Sequence, residues 1–103
     1  MLEKRVSLLK MQLKNSKLVE EYKITIKPSA IKELGDIPKK IAQQIVKRVW
    51  QLALSPRPAG SQKLSGQDRY RIRQGDYRVV YGINDSIRTV DVVKIGHRRE
   101  VYL

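Results

Sequence analysis

Between residues 70 and 83 the chain reads YRIRQGDYRVVYGI, and the side chains alternate in character at nearly every step. Tyr70 and Ile72 interleave with Arg71 and Arg73; Tyr77, Val79 and Tyr81 interleave with Arg78. A period of two is the repeat of a β-strand, whose successive side chains point to opposite faces. The stretch therefore predicts a hairpin with one aromatic and aliphatic face and one arginine face. Gly75 and Asp76 mark the turn. A tight two-residue loop keeps directly opposed residues on the same face. Arg71, Arg73 and Arg78 then converge on one open side, with Arg69 in phase with them and Val80 as the exception.

The rest of the chain supplies what such a sheet needs. Tyr22, Ile24 and Ile26 alternate with Lys23, Thr25 and Lys27, the pattern of a further half-buried strand. Pro28 ends that strand, and Ser29 is the expected N-cap of a short helix, AIKEL, closed by Gly35. Asp36 and Pro38 precede a longer helix, KKIAQQIVKRVWQLAL. Its stripe is Ile41, Ile45, Val49 and Leu52, widened by Ala42, Val46 and Ala53. SPRPAGSQ reads as a loop. Strands are expected over 69–73, 77–83 and 87–95, with Asn84, Asp85 and Ser86 at the second turn. A β-α-α-β-β-β order with tight hairpins predicts an α+β domain, two helices packed on one face of a mainly antiparallel sheet. That domain is expected over residues 21–103. Residues 1–20 carry a narrow apolar stripe, Leu2, Val6, Leu9 and Leu13, and read as a basic extension, helical on a partner or disordered alone.

Charge narrows the function. Lys and Arg number 22 against 10 acidic residues, a formal net charge of +12. A field of that sign points to a polyanion: nucleic acid first, acidic protein second, anionic membrane third. The chain has no cysteine and one histidine. Disulfides, thiolate metal sites and multi-histidine metal sites are therefore excluded, and no metal or small-molecule cofactor is expected. No apolar run approaches the roughly 20 residues of a membrane span, so the expected compartment is the cytoplasm.

Clustered arginines repel one another and resist desolvation, so an empty cluster stabilises nothing. Phosphate relieves it best, because the guanidinium fork pairs with two phosphate oxygens at once. Tyr22, Tyr70, Tyr77 and Tyr81 are expected in the core and Trp50 in the core or an interface. Tyr102 is the candidate for stacking on a base. His97 is either an acid–base group or structural.

The run LSGQDRYRIRQGDYRVVYGIND, followed by VDVVKIGHRREVY, resembles the RelE/ParE superfamily of toxins from toxin–antitoxin pairs, and within it the RelE branch. The resemblance spans about residues 22 to 102. It implies a compact microbial RNase-like domain that enters the ribosomal A site and cuts the mRNA there. The implied chemistry is attack of a ribose 2′-OH on the adjacent phosphate, leaving a 2′,3′-cyclic phosphate and a 5′-OH. It also implies an antitoxin partner of the RelB type.

Carried over by position, the resemblance gives Arg71 and Arg73 the places of two basic strand residues, one of which helps activate the 2′-OH. Arg78 takes the place of the arginine that holds the scissile phosphate, and Arg98 that of the residue assisting the leaving oxygen. Tyr102 takes the place of the C-terminal tyrosine that orients or stacks on the substrate. Lys63 falls at a backbone-contact position, and Arg69, His97 and Arg99 complete the expected RNA-binding set. One departure bears on mechanism: RelE-type enzymes often carry lysine where this chain has Arg71 and Arg73, and arginine is a poor general base. Two other functions therefore stand beside the nuclease: a ParE-like inhibitor of DNA gyrase, and a catalytically inactive RNA-binding homologue.

Overall fold

The computed structural model describes residues 21–66 and 68–97. The stripe expected within residues 1–20 lies outside them, as do Arg98, Arg99 and Tyr102. Along the described chain run β1 (Lys23–Ile26), α1 (Pro28–Gly35), α2 (Lys39–Gln51), β2 (Gln62–Lys63), β3 (Tyr70–Gln74), β4 (Tyr77–Asn84) and β5 (Thr89–His97). The strands form one sheet in the order β1-β5-β4-β3-β2. β1 runs parallel to β5, and every other pair is antiparallel. This is the expected α+β fold with a mainly antiparallel sheet. The helices lead from β1 to β2 at the far edge of the sheet, and three antiparallel reversals from β2 to β5 then bring β5 back beside β1 in the same direction. No helix among the described residues is long and apolar enough to cross a membrane.

The alternating pattern becomes the core. Ile72, Val79, Tyr81, Val90, Val92 and Ile95 are buried on one sheet face and close against Ala30 of α1 and Ile45, Val49 and Leu52 of α2 and its end. Tyr22, Tyr70 and Tyr77 pack at its margin, as expected. Trp50 is half-buried and lies outside that cluster. An irregularity in the β4–β5 pairing at Val80 and Tyr81 keeps Val92 and Ile95 on the same face although they are three apart.

Three local features differ from the sequence pattern. The sheet has a fifth strand, β2, which closes the end of the stretch read as a loop; two residues are too few to show alternation. Ser29 is not the cap of α1, because the helix starts at Pro28, two residues ahead of the expected Ala30, and the fixed φ and missing N–H of proline suit a first helical position. Ile87 does not open the last strand. It sits in the 85–88 turn, 67 % exposed, and β5 begins at Thr89. Asn84 sets that turn by accepting from the backbone N–H groups of Ser86 and Ile87 at 3.0 and 3.2 Å.

The SPRP loop is tied down at its arginine. Arg57 bridges to Asp85 at 3.0 Å, donates to the Tyr70 hydroxyl at 3.0 Å, and lies over the Tyr70 ring. Tyr22 donates to the other Asp85 oxygen at 2.6 Å, and Tyr81 donates to the Pro56 carbonyl at 2.7 Å. The Arg57 and Tyr22 hydrogen bonds hold the Asp85 carboxyl below the usual carboxylate range. Burial pushes the Tyr81 hydroxyl up to about 12. This network fixes the loop that delivers the chain to β2.

Candidate functional site

The β3–β4 hairpin turns on Gly75, whose φ of +59° lies in the left-handed region that glycine enters without strain. The loop is the tight one the sequence calls for: Arg73 pairs directly with Arg78, Gln74 with Tyr77, and Arg71 with Val80. Arg71, Arg73 and Arg78 therefore stand on one face, opposite the helices. From behind, Arg48 of α2 donates to the Arg73 carbonyl at 3.1 Å and reaches Gln74, which itself donates to Gln44. The helix thus braces the backbone that carries Arg73.

The arginine face bears the strain of like charge. The Arg71 guanidinium is held below the usual arginine range, first by its partial burial and then by Arg78 and Arg73. Arg78 is half-buried, and its Nε is buried with no hydrogen-bond partner among the described residues. An unmade bond on a desolvated cationic donor is expensive, and an anionic oxygen is the acceptor that recovers most. Gly96 lies directly across from Arg78 on β5, so no side chain rises beside Arg78 from that strand. Val80, the cross-strand partner of Arg71 on this face, is buried at 1 % exposure.

Of the other expected residues, Arg69 immediately precedes β3, in phase with Arg71. Lys63 pairs with Tyr70, so the register assigns it to the opposite face at the sheet edge, where it lines an open cleft of 470 Å³ with Leu64, Ser65, Gly66 and Asp68. His97 pairs with Tyr77 and meets its ring edge-on at 5.6 Å between centroids. It too lies on the tyrosine side, lining a 130 Å³ cavity whose wall includes Glu33, Asp36 and Lys94. Within that wall the Glu33 carboxylate accepts from Lys94 at 2.7 Å and from the Ile95 N–H at 3.1 Å. The structure therefore gathers three of the expected residues at the centre of one face and sets Lys63 and His97 apart from them. No group of three or more metal-ligating side chains occurs among the described residues.

Sequence reasoning missed Gln62. It pairs with Arg71 across the β2–β3 ladder, and its Oε1 accepts from the Arg71 guanidinium. It missed the brace from Arg48 as well. Both contacts join positions distant along the chain, and only the sheet register brings them together.

A five-stranded sheet with two helices on one face and three arginines on the other defines the class: a small α+β protein with its charge gathered on the face away from its helices. A family model described as the ParE toxin of type II toxin–antitoxin systems matches residues 24–102. The curated Toxin RelE of Mycobacterium tuberculosis is 32 % identical over 83 residues, covering 79 % of this chain and 86 % of that protein. The archaeal RelE of the RelE–RelB complex from Pyrococcus horikoshii superposes with a TM-score of 0.70 at 29 % identity, over 79 % of this chain and 99 % of that one. The isolated RelE toxin of Escherichia coli gives 0.66 at 29 % identity, over 74 % and 83 % of the two chains. The chain belongs to the RelE/ParE superfamily of type II toxin–antitoxin toxins.

Proposed function

We propose that this toxin is a ribosome-dependent mRNA endoribonuclease that cuts in the A site. The observation that carries the reading is the arginine face, where three like charges share one side of the sheet and the Arg78 Nε is buried without an acceptor among the described residues. In this reading the scissile phosphate lies against Arg78 and Arg73, whose donors meet its non-bridging oxygens. Arg71 stands beside the ribose. The 2′-oxygen attacks phosphorus, the bond to the 5′-oxygen breaks, and the products are a 2′,3′-cyclic phosphate and a 5′-OH. The pentavalent intermediate gathers negative charge, and fixed cations lower its energy more than that of the ground state. Arg98 assists the leaving oxygen and Tyr102 stacks on a neighbouring base. Arg69, Arg99, Lys63 and His97 contribute at the margins of the RNA.

No arginine accepts a proton near neutral pH. The proton of the 2′-OH therefore passes to an acceptor other than these arginines, and in this reading ribosomal RNA completes the acid–base apparatus. In this reading residues 21–103 form the toxin domain, residues 1–20 an extension, and the protein works in the cytoplasm. Its second partner is an antitoxin: the similar toxins from P. horikoshii and E. coli were crystallised with RelB. With a net charge of +12, the matching antitoxin segment is acidic and amphipathic and folds on binding. Co-expression of the neighbouring reading frame should restore growth, and the absence of any neutralising neighbour would count against a paired toxin.

The test of the nuclease is cleavage mapping on ribosomes stalled with an empty A site. A cut within the A-site codon that requires both ribosomes and Arg78 supports it. The ParE description of the matching family model favours a second reading, a gyrase inhibitor on the same fold. Inhibition of supercoiling at low toxin concentration, with mRNA intact, would replace the first reading with the second. Tight ribosome binding with neither activity would identify an inactive RNA-binding homologue.

A further inference from the structure

We infer that Gln62 is a positioning residue for the phosphate-binding face, holding the Arg71 guanidinium in place without neutralising it. The inference rests on the anion-binding part of the reading above and not on cleavage itself.

Two independent features of the fold place the pair. Gln62 is the direct cross-strand partner of Arg71 in the β2–β3 ladder, so both side chains leave the sheet on the arginine face. Gln62 Oε1 then accepts from Arg71 Nη2. β2 is only two residues long, and Gln62 is the one residue it contributes to that face. The loop ahead of β2 is held by the Arg57–Asp85–Tyr70 network, which gives the short edge strand a fixed anchor.

The chemistry of the partner matters. Arg71 is repelled by Arg78 and Arg73 and is partly desolvated. Left alone, a long side chain under that repulsion swings into water, away from the other two. A carboxylate would restrain it but would consume its charge in an ion pair. A carboxamide oxygen accepts a hydrogen bond and carries no net charge, so the guanidinium stays in place and keeps its full attraction for phosphate. An edge strand reduced to two residues is explained if its task is to deliver one neutral acceptor.

The test is a double-mutant cycle read by fluorescence anisotropy with a labelled single-stranded 2′-O-methyl RNA, which cannot be cut by 2′-OH attack. Gln62→Ala should weaken binding about fivefold, the scale of one typical net hydrogen bond. It should leave the slope of log K against log salt unchanged, since no charge is removed. Arg71→Ala should lower that slope by about 0.7. In the Arg71→Ala background, Gln62→Ala should change binding less than about twofold. Gln62→Glu should weaken binding more than Gln62→Ala and lower the slope as Arg71→Ala does. Thermal melts of each variant establish that the sheet is intact.

Equal losses from Gln62→Ala in both backgrounds, or no loss in either, overturn the inference. Binding that ignores Arg71→Ala overturns it together with the anion-binding reading. Coupling between Gln62 and Arg71 alongside intact ribosomal mRNA leaves the inference standing and removes the nuclease.

Discussion

The two faces of this sheet carry opposite kinds of side chain for opposite reasons. On the helix side Ile72, Val79, Tyr81, Val90 and Ile95 are buried against apolar partners, and the Tyr81 hydroxyl donates to the Pro56 carbonyl. On the other side Arg71, Arg73 and Arg78 crowd together, and a buried nitrogen of Arg78 has no acceptor among the described residues. The apolar residues of the helix side are explained by folding, since they close against one another and the two helices. In the proposed reading the arginine side is explained by an anion that comes to it. Alternation along β3 and β4 places both requirements on the same ten or so residues, so the strands that build the core also aim the charges.

Breaking one face should leave the other's property intact, and that independence can be tested. The largest expected effect lies on the helix side. Tyr81→Ala removes a fully buried ring and should lower stability by about 3–5 kcal/mol, measured by urea unfolding. Tyr81→Phe keeps the ring and loses the bond to Pro56, for about 1 kcal/mol. A Tyr81→Phe variant as unstable as Tyr81→Ala would mean that the hydroxyl, not the packing, holds this region.

On the other face Arg78→Ala should cut the rate of ribosomal mRNA cleavage by about 10²–10³-fold, the usual effect of removing one donor to a developing charge. Stability should stay within about 0.5 kcal/mol or rise, because a repelling charge is gone. A large fall in stability would show that Arg78 belongs to the fold and would dissolve the contrast.

Smaller effects sharpen it. Glu33→Gln replaces the carboxylate shared by Lys94 and the Ile95 N–H, part-exposed at 30 % of the side chain, and should cost about 1 kcal/mol. In pH titration of the unfolding free energy, the Tyr81 hydroxyl is raised to about 12 in the folded chain, so the unfolded state ionises first. Stability should fall as pH rises from about 10 towards 12, and Tyr81→Phe should remove that part of the fall. At the acid end the depressed Asp85 carboxyl works the other way. Its contribution is present above its unfolded pKa and is lost as pH falls through the folded one, below about pH 4. The effect should be slight, since both members of the Arg57–Asp85 pair are about half exposed. Asp85→Asn should remove it.

Much of this was legible in the residues. The period of two in YRIRQGDYRVVY gave the hairpin, its turn and the shared face of the three arginines, because parity across a two-residue loop is a geometric certainty. The helix stripe likewise became the buried face of α2. Local signals failed where a local pattern was too short or ambiguous. β2 has no period to read, Ile87 is apolar but serves a turn, and Pro28 displaced Ser29 as the helix start. In the candidate site, Gln62 and Arg48 were invisible because their partners are set by register and helix packing. His97 and Lys63 were expected in the RNA-binding set, and the register assigns both to the face away from the three arginines.

The most direct test of the central claim uses ribosomes stalled on a defined mRNA with an empty A site, incubated with purified toxin, and maps new 5′ ends. Naked mRNA and Arg78→Ala protein run in parallel. The account predicts a cut within the A-site codon that disappears without ribosomes and is reduced at least about a hundredfold in the variant. Intact mRNA with the wild-type toxin, or cleavage that Arg78→Ala performs equally well, would contradict it.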